Sequence, residues 1–185
     1  MLRATELAHL LLRQTLKPGD WAIDATVGNG HDTLFLAGEV GASGRVFGFD
    51  VQEQALASAE KRLDGLTQIT LHHAGHERMS DLLPDDAKGR IAAVMFNLGY
   101  LPGEDHGVTT RSETTIAALD QALGFLAVKG IVTLVLYTGH PGGAEEAADV
   151  LAYARKLPVQ FAASHFQRLN AASPAPELLA IERLR

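Results

Sequence analysis

The chain has 185 residues, of which 46% are hydrophobic and 21% charged, with no cysteine and a formal net charge of −6. Such a mixture fits a single globular domain over 1–185 and excludes a disordered chain. The missing thiol excludes disulfides, thiolate metal sites and a cysteine nucleophile, and the acidic balance argues against broad, nonspecific nucleic-acid binding.

Near the N-terminus, Leu7, Leu10 and Leu11 form a helical stripe between Thr5 and Arg13. A Glu, a His and an Arg interrupt this Leu-rich run, so it reads as an amphipathic helix and not a signal peptide. No apolar run reaches the roughly 18 residues a membrane span needs, and the expected location is the cytoplasm. Lys17 to Asp20 is a turn, and Trp21 to Asp24 is a first short strand. The Gly28-Asn29-Gly30 turn follows, then a helix from about Asp32, which the glycine-rich stretch Gly38 to Gly44 should break. Arg45 to Asp50 is a second strand. A helix with Leu56, Ala59, Leu63 and Leu66 on one face leads to a third strand, Gln68 to His73.

Gly75-His76-Glu77-Arg78-Met79 should open a short helix, and a polar loop carries Pro84. The fourth strand, Ile91 to Phe96, is continuously apolar, as expected of a central strand covered on both faces. A long loop starts at Asn97, and Thr110 and Glu113 have the spacing of a capping box. The helix it would open has Ile116, Leu119, Leu123 and Leu126 as its core face. Ile131 to Tyr137 is a fifth strand, followed by a second glycine-rich turn, Thr138 to Gly143, and a helix carrying Ala147, Val150, Leu151 and Ala154. The last two strand-like runs, Val159 to Leu169 and Glu177 to Leu184, are separated by a linker too short for a crossover helix, so they should form an antiparallel hairpin.

Strands alternating with helices predict an α/β fold with a doubly wound, mostly parallel seven-stranded sheet ending in an antiparallel β-hairpin. The loops after the strands then share one rim, the ligand-binding edge of such sheets. Strand, glycine turn and helix is the arrangement that receives a nucleotide-like ligand, because the turn permits close approach and the helix start offers free N–H groups. Asp50, about twenty residues past Gly30, is placed to accept ribose hydroxyls. A dinucleotide fingerprint would need a third glycine where Thr33 stands; the alternative is S-adenosylmethionine, whose ribose an acid after the second strand can also hold. Asp24, Gly28, Asn29 and Gly30 should line its methionine end.

Directly after the fourth strand, Asn97-Leu98-Gly99-Tyr100 resembles the Asn/Asp-Pro-Pro-Tyr signature of methyltransferases acting on amino nitrogens, with Leu98 and Gly99 in place of the prolines. In that chemistry an amide oxygen and a backbone carbonyl accept hydrogen bonds from the amine and aim its lone pair at the methyl group, and the aromatic ring stacks on the base. Asn97 would be the amine-orienting group, Tyr100 the stacking ring, and Leu98 and Gly99 part of the substrate wall.

Several blocks extend the resemblance to nearly the whole chain: DATVGNGHDTLFLA, FDVQEQAL, GHERM, FNLGYLPG, TTRSETTIAAL and GHPGGAEE. They are similar to a compact bacterial family labelled ribosomal-RNA methylases, which includes the tRNA 5-aminomethyl-2-thiouridine methyltransferase. The resemblance implies a class I, Rossmann-like methyltransferase fold, S-adenosyl-L-methionine as donor and the wobble uridine of tRNA as substrate. It implies cofactor contacts at Val27, Asn29, Asp50, Gln52, Gly75 and His76.

An alkyl aminomethyl group is mostly protonated near neutral pH, so a general base is also expected, with Asp105, His106 and His140 as candidates. Arg111 is a candidate phosphate contact, and His140 sits in a rim loop that would shape the substrate mouth with Pro174 and Pro176. Arg3, Arg13, Lys17, Arg111 and Arg168 are the candidate basic rim. No metal is expected, since His72 and His73 on one strand point to opposite faces. A homodimer is allowed. Methylation of another RNA base or a small-molecule amine, and a noncatalytic nucleotide-binding module, stay open as alternatives.

Overall fold

A computed structural model describes residues 2–99 and 110–185. Strands β1 (Trp21–Asp24), β2 (Arg45–Asp50), β3 (Ile69–His73), β4 (Ile91–Asn97), β5 (Leu126–Leu136), β6 (Phe161–Phe166) and β7 (Glu177–Arg183) form one sheet in the order β3-β2-β1-β4-β5-β7-β6. The first five are parallel, and β7 runs antiparallel to both β5 and β6. The order reverses between β1 and β4, and the crevice at that switch point is where open α/β sheets bind ligands.

Alternation along the central strands explains why helices cover both faces. Ile23, Phe47, Phe49, Val94 and Phe96 point to one side and pack with Leu119 and Leu123 of α5 (Ser112–Phe125) and Val150 of α6 (Gly143–Ala154). Ala22, Val46, Ala93 and Met95 point to the other side and meet Leu12 of α1 (Ala4–Thr15) and Leu36 and Val40 of α2 (His31–Val40). Beside them, α3 (Glu53–Arg62) buries Leu56 and Ala59 against Val27. The GHERM block forms a 3-10 turn (His76–Arg78) and one turn of helix, α4 (Met79–Leu82).

Helix α2 stops at Gly41, within the predicted break from Gly38 to Gly44, and Gly41 N–H donates to Ala37 O. Two local expectations change. Leu126 leaves the helix and starts β5, five residues before the predicted boundary at Ile131. The register slips there, from Leu126 opposite Ile91 to Ile131 opposite Ala93, so the Lys129-Gly130 pair is a bulge inside the strand and not its beginning. The predicted capping box does not form: Thr110 lies before the helix, Arg111 occupies the N-cap position, and the Thr110 hydroxyl bonds elsewhere. The final hairpin is present as predicted, and β6 is the exposed edge strand.

Candidate active site

The carboxyl ends of β1, β2, β4 and β5 open onto a cavity of about 840 Å³. Its floor is the first glycine turn, with Thr26, Val27, Gly28, Asn29 and Asp32 against the cavity. Gly30 stands behind it as the N-cap of α2, at φ +79, where a Cβ would come within 3.0 Å of Ala59. Asp24 is likewise a buttress and not a lining residue. It is fully buried, accepts Thr33 Oγ1 at 2.6 Å and Thr26 N at 3.1 Å, and so pins the turn from below. Burial, reinforced by the neighbouring charge of Asp32, pushes its carboxyl up to about 7. Asp24 and Gly30 therefore move from lining roles to supporting ones, and Thr26 and Asp32 take the places at the surface.

Asp50 at the end of β2 ties two turns together. Its Oδ2 accepts Gly28 N at 2.7 Å and its Oδ1 accepts Gln52 N at 2.9 Å. Each carboxylate oxygen keeps a second lone pair, so the group can still accept ligand hydroxyls in a fixed orientation. Gln52 lines the same end of the cavity, as do Gly75 and His76 after β3. His76 is buried, with Nδ1 3.1 Å from Ala25 O and its ring edge on Phe96. Donation to that carbonyl places the proton on Nδ1 and leaves Nε2 a buried acceptor with no protein partner. Burial lowers the pKa of the ring, which keeps it neutral.

The opposite end is built around Asn97. Its backbone N–H donates to Thr26 Oγ1 at 2.7 Å, and its side-chain Nδ2 donates to Asp32 Oδ2 at 3.1 Å. These bonds fix the amide so that Oδ1 is the remaining acceptor, buried and without a partner. Leu98 and Gly99 line the wall beside it, Gly99 at φ +136 facing Tyr137 and His140. Gly99 N donates to Thr110 Oγ1 at 3.2 Å, and that hydroxyl donates to Glu146 Oε2 at 2.7 Å. The other oxygen of Glu146 accepts Thr115 Oγ1 at 2.6 Å. Glu146 thus joins α5, α6 and the segment after β4. Sequence reasoning missed it, because an acidic residue in the first turn of a helix looks like ordinary dipole compensation.

Arg111 and His140 line the mouth with Pro174 and Pro176, and His140 Nδ1 lies 3.0 Å from Pro141 O. Of the proposed basic rim, Arg3 pairs with Glu6 and Arg13 with Glu39, while Arg111 reaches the cavity. Tyr100, Asp105 and His106 lie outside the described residues. His72 stacks on Phe49 and His73 approaches Val51 O, and among the described residues no group of His, Asp or Glu is placed to hold a metal ion.

Topology and site together define a class I, Rossmann-like methyltransferase fold, with a nucleoside-type pocket at the switch point and an amide at the end of β4. Residues 46–182 match the model of the family described as "Putative rRNA methylase", and the chain belongs to that family. A crystal structure of a "putative rRNA-methylase" from Clostridium thermocellum superposes with a TM-score of 0.94 at 40% identity, covering 99% of this chain and 98% of that one. A "putative methyltransferase" from Streptococcus mutans, crystallised with SAH, gives 0.89 at 35% identity over 100% and 99% of the two chains. The chloroplastic tRNA (mnm(5)s(2)U34)-methyltransferase of Arabidopsis thaliana is 39% identical over 180 residues. That match takes in 91% of this chain and spans 65% of the Arabidopsis protein's length.

Proposed function

We propose that this protein is an S-adenosylmethionine-dependent RNA methyltransferase that methylates an amino nitrogen, most specifically the 5-aminomethyl group of 2-thiouridine at the tRNA wobble position. The observation that carries the reading is Asn97 Oδ1: a buried acceptor left unpartnered while its own amide nitrogen is tied to Asp32. Burying an acceptor without a partner costs about 1–3 kcal/mol, so a ligand N–H is the natural complement. A noncatalytic binding module has no use for such a clamp.

The residues present fit the cofactor. Asp50 offers oriented lone pairs for ribose hydroxyls, and His76 Nε2 is an orphaned acceptor within the same end of the pocket. Val27, Gly28 and Asn29 line the floor between Asp50 and Asn97, where the methionine portion would lie. When bound, S-adenosylmethionine supplies an electrophilic methyl group on sulfur. Asn97 would orient the attacking nitrogen, and Leu98, Gly99 and the Thr110–Glu146 link would fix the wall against which it sits.

The wobble uridine is supported by the name of the Arabidopsis relative, and an acidic chain with Arg111 at its mouth is compatible with a contact confined to a stem-loop. The description of the matching family favours a second reading, a ribosomal RNA base as methyl acceptor. We take residues 1–185 as one catalytic domain acting in the cytoplasm. Among the described residues, no helix is long and apolar enough to cross a membrane.

The test is transfer of label from S-adenosylmethionine to total tRNA from cells lacking the gene, resolved as nucleosides. Label in a methylaminomethyl uridine is the expected outcome, and Asn97→Ala should abolish it while still binding cofactor. Label confined to ribosomal RNA would replace the substrate and keep the chemistry.

A further inference from the structure

Helix α1 sends His9 across to the start of α2, where its Nε2 lies 2.8 Å from Asp32 Oδ1. The His9 ring lies flat on Phe35, with centroids 3.9 Å apart and planes within 7°. Asp32 is 8% exposed, lines the cavity, and uses its other oxygen to hold Asn97 Nδ2 at 3.1 Å. An unbroken line therefore runs from a braced imidazole through a buried carboxylate to the amide with the orphaned oxygen. The cofactor pocket does not need this line, since Asp50 and His76 serve that end. Asp32 does not cap α2 either: among the described residues no side chain bonds the N-terminal amides of that helix, and the two Asp32 oxygens are bonded to His9 and Asn97.

We propose that Asp32 is the general base that removes the proton from the substrate ammonium, and that His9 is a positioning residue that holds the carboxylate for it. The inference rests on the amine-methylation reading above, because only an alkyl ammonium must lose a proton before it can attack. An amide carries its oxygen and nitrogen on one carbon. A nitrogen bonded to Asn97 Oδ1 is thereby brought beside the oxygen of Asp32 that Asn97 Nδ2 already touches. In the first step an N–H bond of the ammonium breaks, its electron pair stays on nitrogen and the proton passes to the Asp32 carboxylate. In the second step that lone pair forms the bond to the methyl group, and the carbon–sulfur pair goes to sulfur. The proton leaves Asp32 for solvent when the product departs. His9, donating to Oδ1, keeps the carboxylate from turning away, and the stack on Phe35 fixes His9.

The charged and titratable neighbours are few. Asp24 lies beneath Asp32 on β1, His31 precedes it on α2, and Arg13, paired with Glu39, sits over the Phe35 ring. All of them are common to the wild type and the variants below.

The experiment compares wild type, Asp32→Asn and His9→Phe on a tRNA anticodon stem-loop bearing the aminomethyl group, with kcat measured from pH 6 to 10. Asparagine keeps a hydrogen-bonding group toward both His9 and Asn97 but cannot take a proton, and phenylalanine keeps the stack on Phe35. Asp32→Asn should lower kcat about 100-fold at neutral pH and recover most of it at high pH, where solvent deprotonates the amine. His9→Phe should show a smaller loss, about 10-fold, with the same recovery. Calorimetry should give S-adenosylhomocysteine affinities within about threefold of wild type for both variants, which also reports that they are folded.

A loss independent of pH, or no loss in Asp32→Asn, would overturn the base assignment while leaving the methyltransferase reading intact. A wild type that binds S-adenosylhomocysteine but never methylates the stem-loop would overturn the substrate reading, and the base with it.

Discussion

The two ends of the cavity are held together by different kinds of bond. At the nucleoside end, Asp50 is fixed by the backbone amides of Gly28 and Gln52, and His76 by the carbonyl of Ala25. These partners are main-chain groups of the turns that follow β1 and β2, which the parallel pairing of those strands brings together. At the proposed amine end the bonds run mostly through side chains brought from far apart: Asn97 to Asp32 to His9, and the Gly99 amide to Thr110 to Glu146. On the proposed reading, the pocket for a common cofactor rests on backbone geometry, whereas recognition of the amine rests on side chains that helices must carry into place.

The largest expected effects separate the two ends. Asn97→Ala should lower kcat by about 100-fold or more, because misplacing a nucleophile by an ångström is that costly, with cofactor affinity nearly unchanged. Asp50→Ala should do the reverse. It should weaken cofactor binding by about 100-fold, since it removes charge-assisted bonds and frees the Gly28 turn, and saturating cofactor should restore much of kcat. Should both variants shift the same parameter, the division between the ends fails.

Glu146→Ala leaves two hydroxyls without their acceptor and should cost about 1–3 kcal/mol in denaturant unfolding. It should also raise the KM for RNA with cofactor affinity unchanged, because it loosens only the amine end.

Asp24 gives a pH signature. Its carboxyl rises from 3.8 to about 7 on folding, so between those values the folded state binds more protons than the unfolded one. Its contribution is fully present below about pH 4 and is lost as pH rises toward 7. Asp24→Asn should remove that decline, leaving the variant ahead of wild type above pH 7 by an amount on the order of a few kcal/mol. Thermal unfolding across pH 4 to 8 reads this directly. The smallest effect belongs to Arg111→Ala at the mouth. It should raise the KM for RNA a few-fold at low salt, and the difference should fade as salt increases.

Much of the nucleoside end was legible in the chain itself. The Gly28-Asn29-Gly30 turn lies between an apolar strand and a helix, and Asp50 closes the next strand, so period, punctuation and spacing are enough to place both. The place of Asn97 on the rim was legible for the same reason, at the end of a continuously apolar central strand, and its expected role came from the resemblance of Asn97 to Tyr100 to the Asn/Asp-Pro-Pro-Tyr signature. The Thr110–Glu113 spacing misled, because a hydroxyl three residues before a glutamate satisfies a local rule, yet a buried carboxylate on another helix was the stronger partner. Asp24 misled in the opposite direction. A polar residue at the end of a first strand is expected to face ligand, but the side chain turned inward to hold Thr33 and the Thr26 amide.

The sequence by itself determined the strands, their order of appearance, the final hairpin and the residues that end each strand at the rim. These follow from hydrophobic period and turn chemistry, which act over a few residues. Only the tertiary structure decided that Asp32 and not Asp24 faces the cavity, that Glu146 holds Thr110 in the segment after β4, and that a histidine from the first helix pairs with Asp32. Hydrogen-bond partners separated by 23, 31 and 65 residues are chosen by how helices dock on the sheet. Docking is set by the whole core, and no local pattern in the chain encodes it.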